Sequence, residues 1–330
     1  MKFVNRNTAS FLKLIQFFYK VNFNTTLTEI SKCDIIKNKN GDDAMTASKL
    51  NVKTITLDIG LCSHVRLVHS SDNHVCLADL RDDERKRKLA KDRLKCFGKT
   101  AEELVDLFEQ SVKYAADNGA VFLSTGDICD FISYACLDEA KTMLSVADSV
   151  FAVGNHEFSK YVGEAKEDDA YKNDSYRFVQ SFFRNDLTFD SRTVNGLNIV
   201  TVDNSYYNFT MLQLEKLKAE AAKGLPILMA FHNPIFTSEL YAYMVSELDN
   251  KLSYSVGCPD EYTSRNPFEK VPDSATKAFI EYMSSEPLIK AVLAGHVHRF
   301  FESGLHWKHE ARQIIAGAGF EGYVTDITVK

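Results

Sequence analysis

Long hydrophobic runs, cysteine pairs and an excess of basic residues are all missing from this sequence. No apolar run reaches the roughly 18 residues of a membrane-spanning helix, so we expect no transmembrane segment. The seven cysteines form no Cys-x-x-Cys pair, which argues against a cysteine-rich zinc site or a disulfide framework and favours a reducing compartment. With 39 Lys and Arg against 45 Asp and Glu, the net charge of −6 argues against a dedicated nucleic-acid binder. We therefore expect a soluble, cytoplasmic protein.

The composition is otherwise that of an ordinary globular chain. Hydrophobic residues make up 45% of the 330 residues and charged residues make up 25%, which are average values and allow a sizeable core. The length fits either two domains or one larger α/β unit.

Residues 1–50 differ in composition from the rest of the chain, being rich first in aromatic residues and then in Lys, Asn and Asp. Lys13 and Gln16 interrupt the most apolar stretch, so it does not match a signal peptide. We expect a loosely ordered extension here, with an amphipathic surface helix over residues 9–20 as the alternative. Met45 is a candidate alternative start, because the composition becomes ordinary from there on.

Hydrophobic periodicity from residue 51 onward predicts strands that alternate with helices. Strand patterns occupy residues 52–59 and 65–69. Helical patterns occupy residues 79–95, 98–118, 209–223 and 274–284. This order predicts an α/β protein.

Four further apolar runs end abruptly at polar residues. They occupy residues 120–125, 150–153, 227–231 and 291–294. We interpret them as buried strands whose carboxyl ends deliver polar loops, which is where open α/β folds commonly bind ligands. Residues 236–271 show little periodicity, so we expect a long loop or a substrate lid there.

Residues of metal-ligating type follow these strand patterns. The segments are Asp72-Asn73-His74, Gly126-Asp127-Ile128-Cys129-Asp130, Gly154-Asn155-His156-Glu157, His232, and Gly295-His296-Val297-His298. Carboxylate and imidazole without thiolate suit ions such as Mn, Fe or Zn. A carboxylate such as Asp127 can bridge two ions, and two ions about 3.5–4 Å apart can hold a hydroxide nucleophile and clamp a phosphoryl group. The residues alone therefore predict a two-metal site.

This ordered set of motifs resembles the calcineurin-like metallophosphoesterase superfamily, over residues 65–300 at least. The resemblance implies an α/β (α+β) fold in which two mixed β-sheets pack as a sandwich flanked by helices, a four-layer αββα arrangement. It also implies that residues 51–330 form the catalytic domain.

The resemblance further implies a role for each residue of the motifs. One metal would be bound by Asp72, His74, Asp127 and His298. Asp127 would bridge to a second metal, which would be held also by Asn155, His232 and His296. His156 would lie beside the metals and protonate the leaving-group oxygen or stabilise the transition state, while Asp130 would orient His156.

One departure from a related pattern and one retained feature narrow this prediction. Purple acid phosphatases have a Tyr ligand where this chain has Asp130, which argues against that branch. Every ligand position is retained, which argues against scaffold members that lost metal-binding histidines. The run of mixed charges at residues 81–95 predicts a solvated helix, with a phosphate-attracting rim beside Asp72 as the alternative.

We therefore predict a binuclear metal-dependent phosphohydrolase with two divalent or mixed-valence ions (Mn, Fe or Zn) and a small phosphoester substrate. A metal-bridging hydroxide would attack phosphorus, and His156 would assist departure of the alcohol. The choice between phosphomonoesterase and phosphodiesterase stays open, because the same ligands serve both. The alternatives are a metal-dependent binding or regulatory module with little turnover, and a nuclease that uses the helix at residues 81–95.

Overall fold

The structure is a computed structural model that describes residues 50–163, 168–248, 254–260 and 271–330. The predictions of a loose extension, a surface helix over residues 9–20 and a start at Met45 lie outside the described residues.

The first β-sheet has five strands in the order β1-β11-β2-β3-β4. These strands are β1 (Asn51–Leu57), β2 (Val65–Ser70), β3 (Val121–Ser124), β4 (Ser149–Phe151) and β11 (Tyr323–Val329). β2, β3 and β4 are parallel, while β11 runs parallel to β1 and antiparallel to β2. The carboxyl ends of β2, β3 and β4 therefore lie at one edge of this sheet.

The second β-sheet has six strands in the order β5-β6-β7-β8-β10-β9. These are β5 (Phe189–Val194), β6 (Leu197–Val202), β7 (Ile227–Ala230), β8 (Ile289–Ala294), β9 (Phe301–His306) and β10 (Glu310–Ile315). The four central strands, β6, β7, β8 and β10, are parallel, and the edge strands β5 and β9 are antiparallel to their neighbours. The carboxyl ends of β7 and β8 therefore also lie side by side.

Seven α-helices connect these strands within the described residues. They are α1 (Glu84–Phe97), α2 (Ala101–Asp117), α3 (Tyr134–Met143), α4 (Asp169–Gln180), α5 (Met211–Ala221), α6 (Ser238–Ser246) and α7 (Ser274–Ser285). Side chains of Asp, Ser or Thr cap the amino terminus of each, as Thr100 does for α2 by accepting a hydrogen bond from Glu103 N.

The two sheets pack face to face through the side chains that alternate along their strands. The buried layer between them includes Leu67, Leu123, Leu228, Leu293 and Ile314. Because successive strand residues point to opposite faces, neighbours of these residues are buried on the outer faces instead. The outer face of the first sheet packs on α2, α3 and α4 through Phe108, Phe122, Leu137 and Val179. The outer face of the second packs on α5, α6 and α7 through Leu217, Met229, Leu240 and Phe279. This confirms the four-layer αββα fold.

The segment at residues 236–271 is not one continuous loop. It contains helix α6, which begins after Thr237 and buries Leu240 and Met244 one turn apart. Two buried residues in a short helix give too weak a periodicity to be recognised among the surrounding Tyr and Ser. The parts of this segment at residues 249–253 and 261–270 lie outside the described residues.

The six cysteines that the structure describes are all free thiols. Among the helices of residues 50–163, 168–248, 254–260 and 271–330, none combines the length and the apolar character that a bilayer crossing requires.

Candidate metal centre

The motif residues all lie in loops that follow five strands. Asp72 and His74 follow β2, Asp127 and Asp130 follow β3, Asn155 and His156 follow β4, His232 follows β7, and His296 and His298 follow β8. Main-chain hydrogen bonds hold the loops together: Asp72 N donates to Gly126 O at 2.9 Å, and His74 N donates to Asp127 O at 2.9 Å. Across the sandwich, His296 N donates to the Asp72 carboxylate at 2.9 Å. The two sheets therefore contribute to a single cluster.

The backbone of this cluster is unusual. In the described residues, eight non-glycine residues have positive φ, and five of them are Asp72 (57°), His74 (48°), Asp127 (53°), His296 (72°) and His298 (56°). Asp and His tolerate this left-handed region better than most side chains, but each such residue still costs of order 1–3 kcal/mol. The contacts between the loops must therefore hold this conformation.

Two glycines allow the carboxylates to approach the backbone. A Cβ on Gly154 would lie 2.8 Å from Asp127 Cγ, and a Cβ on Gly295 would lie 2.7 Å from Asp72 Oδ2. No real side chain tolerates such contacts with a fixed carboxylate. The glycines of Gly-Asn-His-Glu and Gly-His-x-His are thus required because the carboxylates pack directly against them.

Glu157 connects the loops after β3 and β4 through hydrogen bonds to both. Its buried carboxylate accepts hydrogen bonds from Asp127 N at 2.8 Å, Cys129 N at 3.0 Å and Gly154 N at 2.7 Å. Burial and the charge of Asp127 raise the pKa of Glu157 to about 7, although the three amides oppose this shift. Glu157 is the last residue of the Gly-Asn-His-Glu motif, but the motif predicted no role for it. The identity of an acidic residue in a motif does not predict which main-chain amides will donate hydrogen bonds to it in the folded protein.

Replacing Glu157 with Gln should destabilise the fold by about 2 kcal/mol, because an amide group cannot accept from three N–H donors as well as a carboxylate can. Urea unfolding of the wild type and the variant measures this difference. Glu139→Gln is the matched control, because no hydrogen-bond partner is recorded for the buried Oε1 of Glu139. Equal destabilisation by both substitutions would contradict the role of Glu157.

The first group of possible metal donors consists of Asp72, His74 and His298, whose ligand atoms lie within 4.8 Å of one another. His74 Nε2 lies 3.1 Å from His298 Nε2, and His298 Nε2 lies 3.3 Å from Asp72 Oδ1. Asp72 and His74 are buried, whereas the His298 side chain is 29% exposed. This group therefore has one open side, at His298.

The second group consists of Asp127, His232 and His296. His232 Nε2 lies 3.1 Å from Asp127 Oδ2 and 3.0 Å from His296 Nδ1. The same Asp127 oxygen lies 3.9 Å from His74 Nε2 of the first group. Asp127 therefore stands between the two groups.

These separations fit metal coordination. Metal–nitrogen bonds of 2.0–2.1 Å place two ligand atoms of one ion about 3 Å apart when the bonds meet near a right angle. Asn155 Oδ1 is a further buried acceptor with no hydrogen-bond partner in the structure. The donors are nitrogen and oxygen atoms without sulfur, a set that suits borderline divalent ions.

The electrostatics favour a cation in the same place. Burial lowers the pKa of His74 and of His296, which favours the neutral ring that a metal needs. For His232, burial opposes protonation, but the charge and hydrogen bond of Asp127 and the charge of Asp72 together outweigh burial and raise the pKa to about 9. A metal ion beside Asp127 would balance the carboxylate charge in place of the proton on His232.

His156 lies at the open side of the cluster, with its side chain 17% exposed. His156 Nδ1 lies 2.6 Å from the main-chain oxygen of Asp130, and Asp127 Oδ1 accepts from His156 N at 2.9 Å. Burial opposes protonation of His156, but the charges of Asp127 and Asp130 outweigh it and raise the pKa.

Asp130 contacts His156 more closely through its main chain than through its side chain. The Asp130 carboxylate bonds His74 Nδ1 at 3.0 Å and lies 3.5 Å from His156 Nδ1, so the Asp130 main chain, and not its side chain, makes the short contact with His156. Arg93 donates hydrogen bonds to both oxygens of the same carboxylate.

Arg93 is a site residue that the sequence analysis missed. The mixed charges at residues 81–95 predicted a solvated helix, and α1 does expose Lys88, Lys91 and Lys95. Arg93, however, lies on the opposite face of this helix, where its side chain is only 12% exposed and pairs with Asp130. Burial opposes ionisation of Asp130, but Arg93 outweighs it and holds the pKa of Asp130 well below its usual range.

Residues after β6 and β7 also support the site without having been predicted. The Tyr207 hydroxyl lies 2.6 Å from His296 Nε2, which leaves His296 Nδ1 facing His232. Asn204 and Asn233 exchange buried hydrogen bonds, among them Asn233 Nδ2 to Asn204 O at 2.7 Å, and so fix the loop that carries His232. Neither contact leaves a spacing pattern in the sequence.

Comparisons with known proteins agree with this geometry. A family model described as calcineurin-like phosphoesterase matches residues 65–300. No curated protein matches the chain.

Several solved structures are similar to the chain. A dimetal phosphatase from Danio rerio is 12% identical, with a TM-score of 0.45, 78% of this chain covered and 88% of that one. A phosphopantetheinyl hydrolase from Mycobacterium tuberculosis is 11% identical, with a TM-score of 0.39, and 78% and 91% covered. A 5′-nucleotidase precursor from Thermus thermophilus is 13% identical, with a TM-score of 0.38, and 79% and 50% covered. The chain thus spans half the length of that nucleotidase.

Proposed function

The chain belongs to the calcineurin-like phosphoesterase family, and on that premise we propose that it is a phosphohydrolase whose site binds two metal ions. As a family member it is a metal-dependent phosphoesterase. The two-ion site, the assignment of each ligand and the catalytic domain over residues 51–330 are parts of our proposal, as is a cytoplasmic location.

One observation carries the two-ion proposal: the same Asp127 oxygen faces both donor groups, 3.9 Å from His74 Nε2 and 3.1 Å from His232 Nε2. We assign the first ion to Asp72, His74, Asp127 and His298. We assign the second ion to Asp127, Asn155, His232 and His296. Mn, Fe and Zn all suit these donors.

Two ions held here would supply the ionised water that attacks phosphorus and neutralise the phosphoryl oxygens. The protein's own contribution to proton transfer falls to His156. Because the Asp130 main-chain oxygen can only accept, His156 Nδ1 carries a hydrogen and Nε2 is left for the substrate. The raised pKa of His156 keeps a proton at Nε2 that can pass to the departing alcohol.

The substrate is a small phosphoester in this proposal. The ligands serve monoesters and diesters alike, so the choice depends on groups outside the metal cluster. We place that choice in the segment at residues 236–271, which includes helix α6.

Paired chromogenic substrates test the proposal. The full-length protein is stripped with chelator, reloaded with Mn²⁺, Fe²⁺ or Zn²⁺, and assayed with p-nitrophenyl phosphate and bis-p-nitrophenyl phosphate while bound metal is counted by mass spectrometry. We expect two ions per chain and hydrolysis that disappears on chelation and returns on reloading. Two bound ions without hydrolysis of either ester would instead support a binding or regulatory module.

A further inference from the structure

A buried guanidinium lies directly behind the candidate metal centre. Arg93, near the end of α1, donates from Nε to Asp130 Oδ2 at 2.5 Å and from Nη2 to Asp130 Oδ1 at 2.9 Å. The Asp130 side chain is fully buried and that of Arg93 nearly so. This is a two-point contact, which fixes the plane of the carboxylate as well as its position.

The carboxylate that Arg93 fixes is the partner of His74. Asp130 Oδ1 lies 3.0 Å from His74 Nδ1, and a carboxylate accepts, so the hydrogen of His74 stands on Nδ1. His74 Nε2 is then free of hydrogen and faces His298 Nε2 at 3.1 Å. The orientation of Asp130 thus decides which nitrogen of His74 can bind a metal.

The same helix holds the His74 ring in place on a second side. Phe97 lies one turn after Arg93, and its ring stacks on the His74 ring with centroids 5.1 Å apart and planes 27° apart. The Arg93 guanidinium covers the Phe97 ring at 5.4 Å. Arg93 and Phe97 therefore form one unit against His74, with Arg93 acting through Asp130.

We infer that Arg93 is a positioning residue that sets the orientation and tautomer of His74, and through them the affinity of the first metal ion. The inference rests on the proposed two-ion site. Without Arg93, Asp130 would be a buried charge with one hydrogen-bonding partner removed from each oxygen, and it would lose the two-point contact that fixes its plane toward His74. Neutral substitutions at exposed cations of α1 should have no such effect.

Metal titration of the full-length, chelator-stripped protein tests this inference. Mn²⁺ binding is measured by calorimetry for the wild type, Arg93→Ala and Lys91→Met, the last being the exposed control on the same helix. We expect Arg93→Ala to weaken one of the two ions by about 10- to 100-fold, the usual effect of losing a residue that supports a ligand. Millimolar guanidinium should restore that ion to Arg93→Ala, and Lys91→Met should bind both ions as the wild type does.

Other outcomes separate the explanations. Wild-type metal affinity in Arg93→Ala would overturn the inference. A loss of affinity that guanidinium does not restore would also overturn it, because that is the result expected if Arg93 only stabilises the fold. If Arg93→Ala does not fold, Arg93→Lys decides, because Lys keeps the charge without the two-point contact and should still weaken one ion. Equal affinity in Arg93→Lys would overturn the inference. A wild-type protein that binds fewer than two ions would refute the proposed function instead.

Discussion

Replacing Asp127 with Asn is expected to abolish phosphoesterase activity and metal binding together. Asp127 lies between the two donor groups, so its charge contributes to both proposed ions. Asn keeps an oxygen that can accept from His156 N, so the loop contact survives while the charge is lost. Metal counting and hydrolysis of both chromogenic esters should show fewer than one tightly bound ion per chain and at least about a 1,000-fold loss of turnover.

Asp326→Asn is the matched control for this substitution. Asp326 is also hydrogen-bonded, by Arg66 and Tyr114, but it lies in β11 opposite Val68 of β2 and belongs to neither donor group. The control should lose some stability and keep both ions and activity. Asp127→Asn with two ions and near-normal turnover would contradict the bridging role.

Replacing His156 with Ala is expected to preserve both ions and to lower kcat by about 100- to 10,000-fold, the usual contribution of a general acid. His156 Nδ1 contacts the Asp130 main-chain oxygen. The two donor groups contain pairs of His nitrogens about 3 Å apart, His74 with His298 and His232 with His296, whereas the His156 ring forms no such pair with another His of the described residues. Stopped assays and metal counting on the same preparation separate the two effects.

His309→Ala serves as the control because His309 Nε2 bonds Ile289 O in the second sheet, outside the cluster. Its turnover should match the wild type. If His156→Ala lost metal in proportion to rate, His156 would join the ligand set, which its place near His74 and Asp127 makes chemically feasible.

The buried strands are the part of the fold that the sequence predicted best. The four apolar runs correspond to β3, β4, β7 and β8, because a strand covered on both faces leaves an unbroken apolar pattern. The edge strands β5 and β9 were missed because their exposed faces mix polar with apolar residues, and the buried β6 was missed because Asn198 and Thr201 interrupt its apolar pattern. Pairing of β11 with both β1 and β2 joins segments about 260 residues apart, which no local pattern encodes.

The candidate site shows a similar division. The family resemblance carried by the motifs implied which side chains would meet, and the structure brings Asp72, His74 and His298 into one group and Asp127, His232 and His296 into another. The motifs did not predict that five of the Asp and His residues themselves adopt positive φ. The supports came from elsewhere: Arg93 from a helix whose composition predicts full solvation, and Tyr207 from a segment with no motif. Such partners depend on tertiary packing and not on local sequence.

Each of the two donor groups assigned to an ion draws ligands from both sheets, Asp72 and His74 with His298, and Asp127 with His232 and His296. Bound ions would therefore act as cross-links between the two halves of the sandwich, much as a disulfide joins distant segments. Because ions that bind the folded chain shift the unfolding equilibrium by mass action, the melting temperature should follow the free metal concentration. Scarcity of metal would then shorten the lifetime of the protein as well as silence it, so that its abundance would itself report on metal supply.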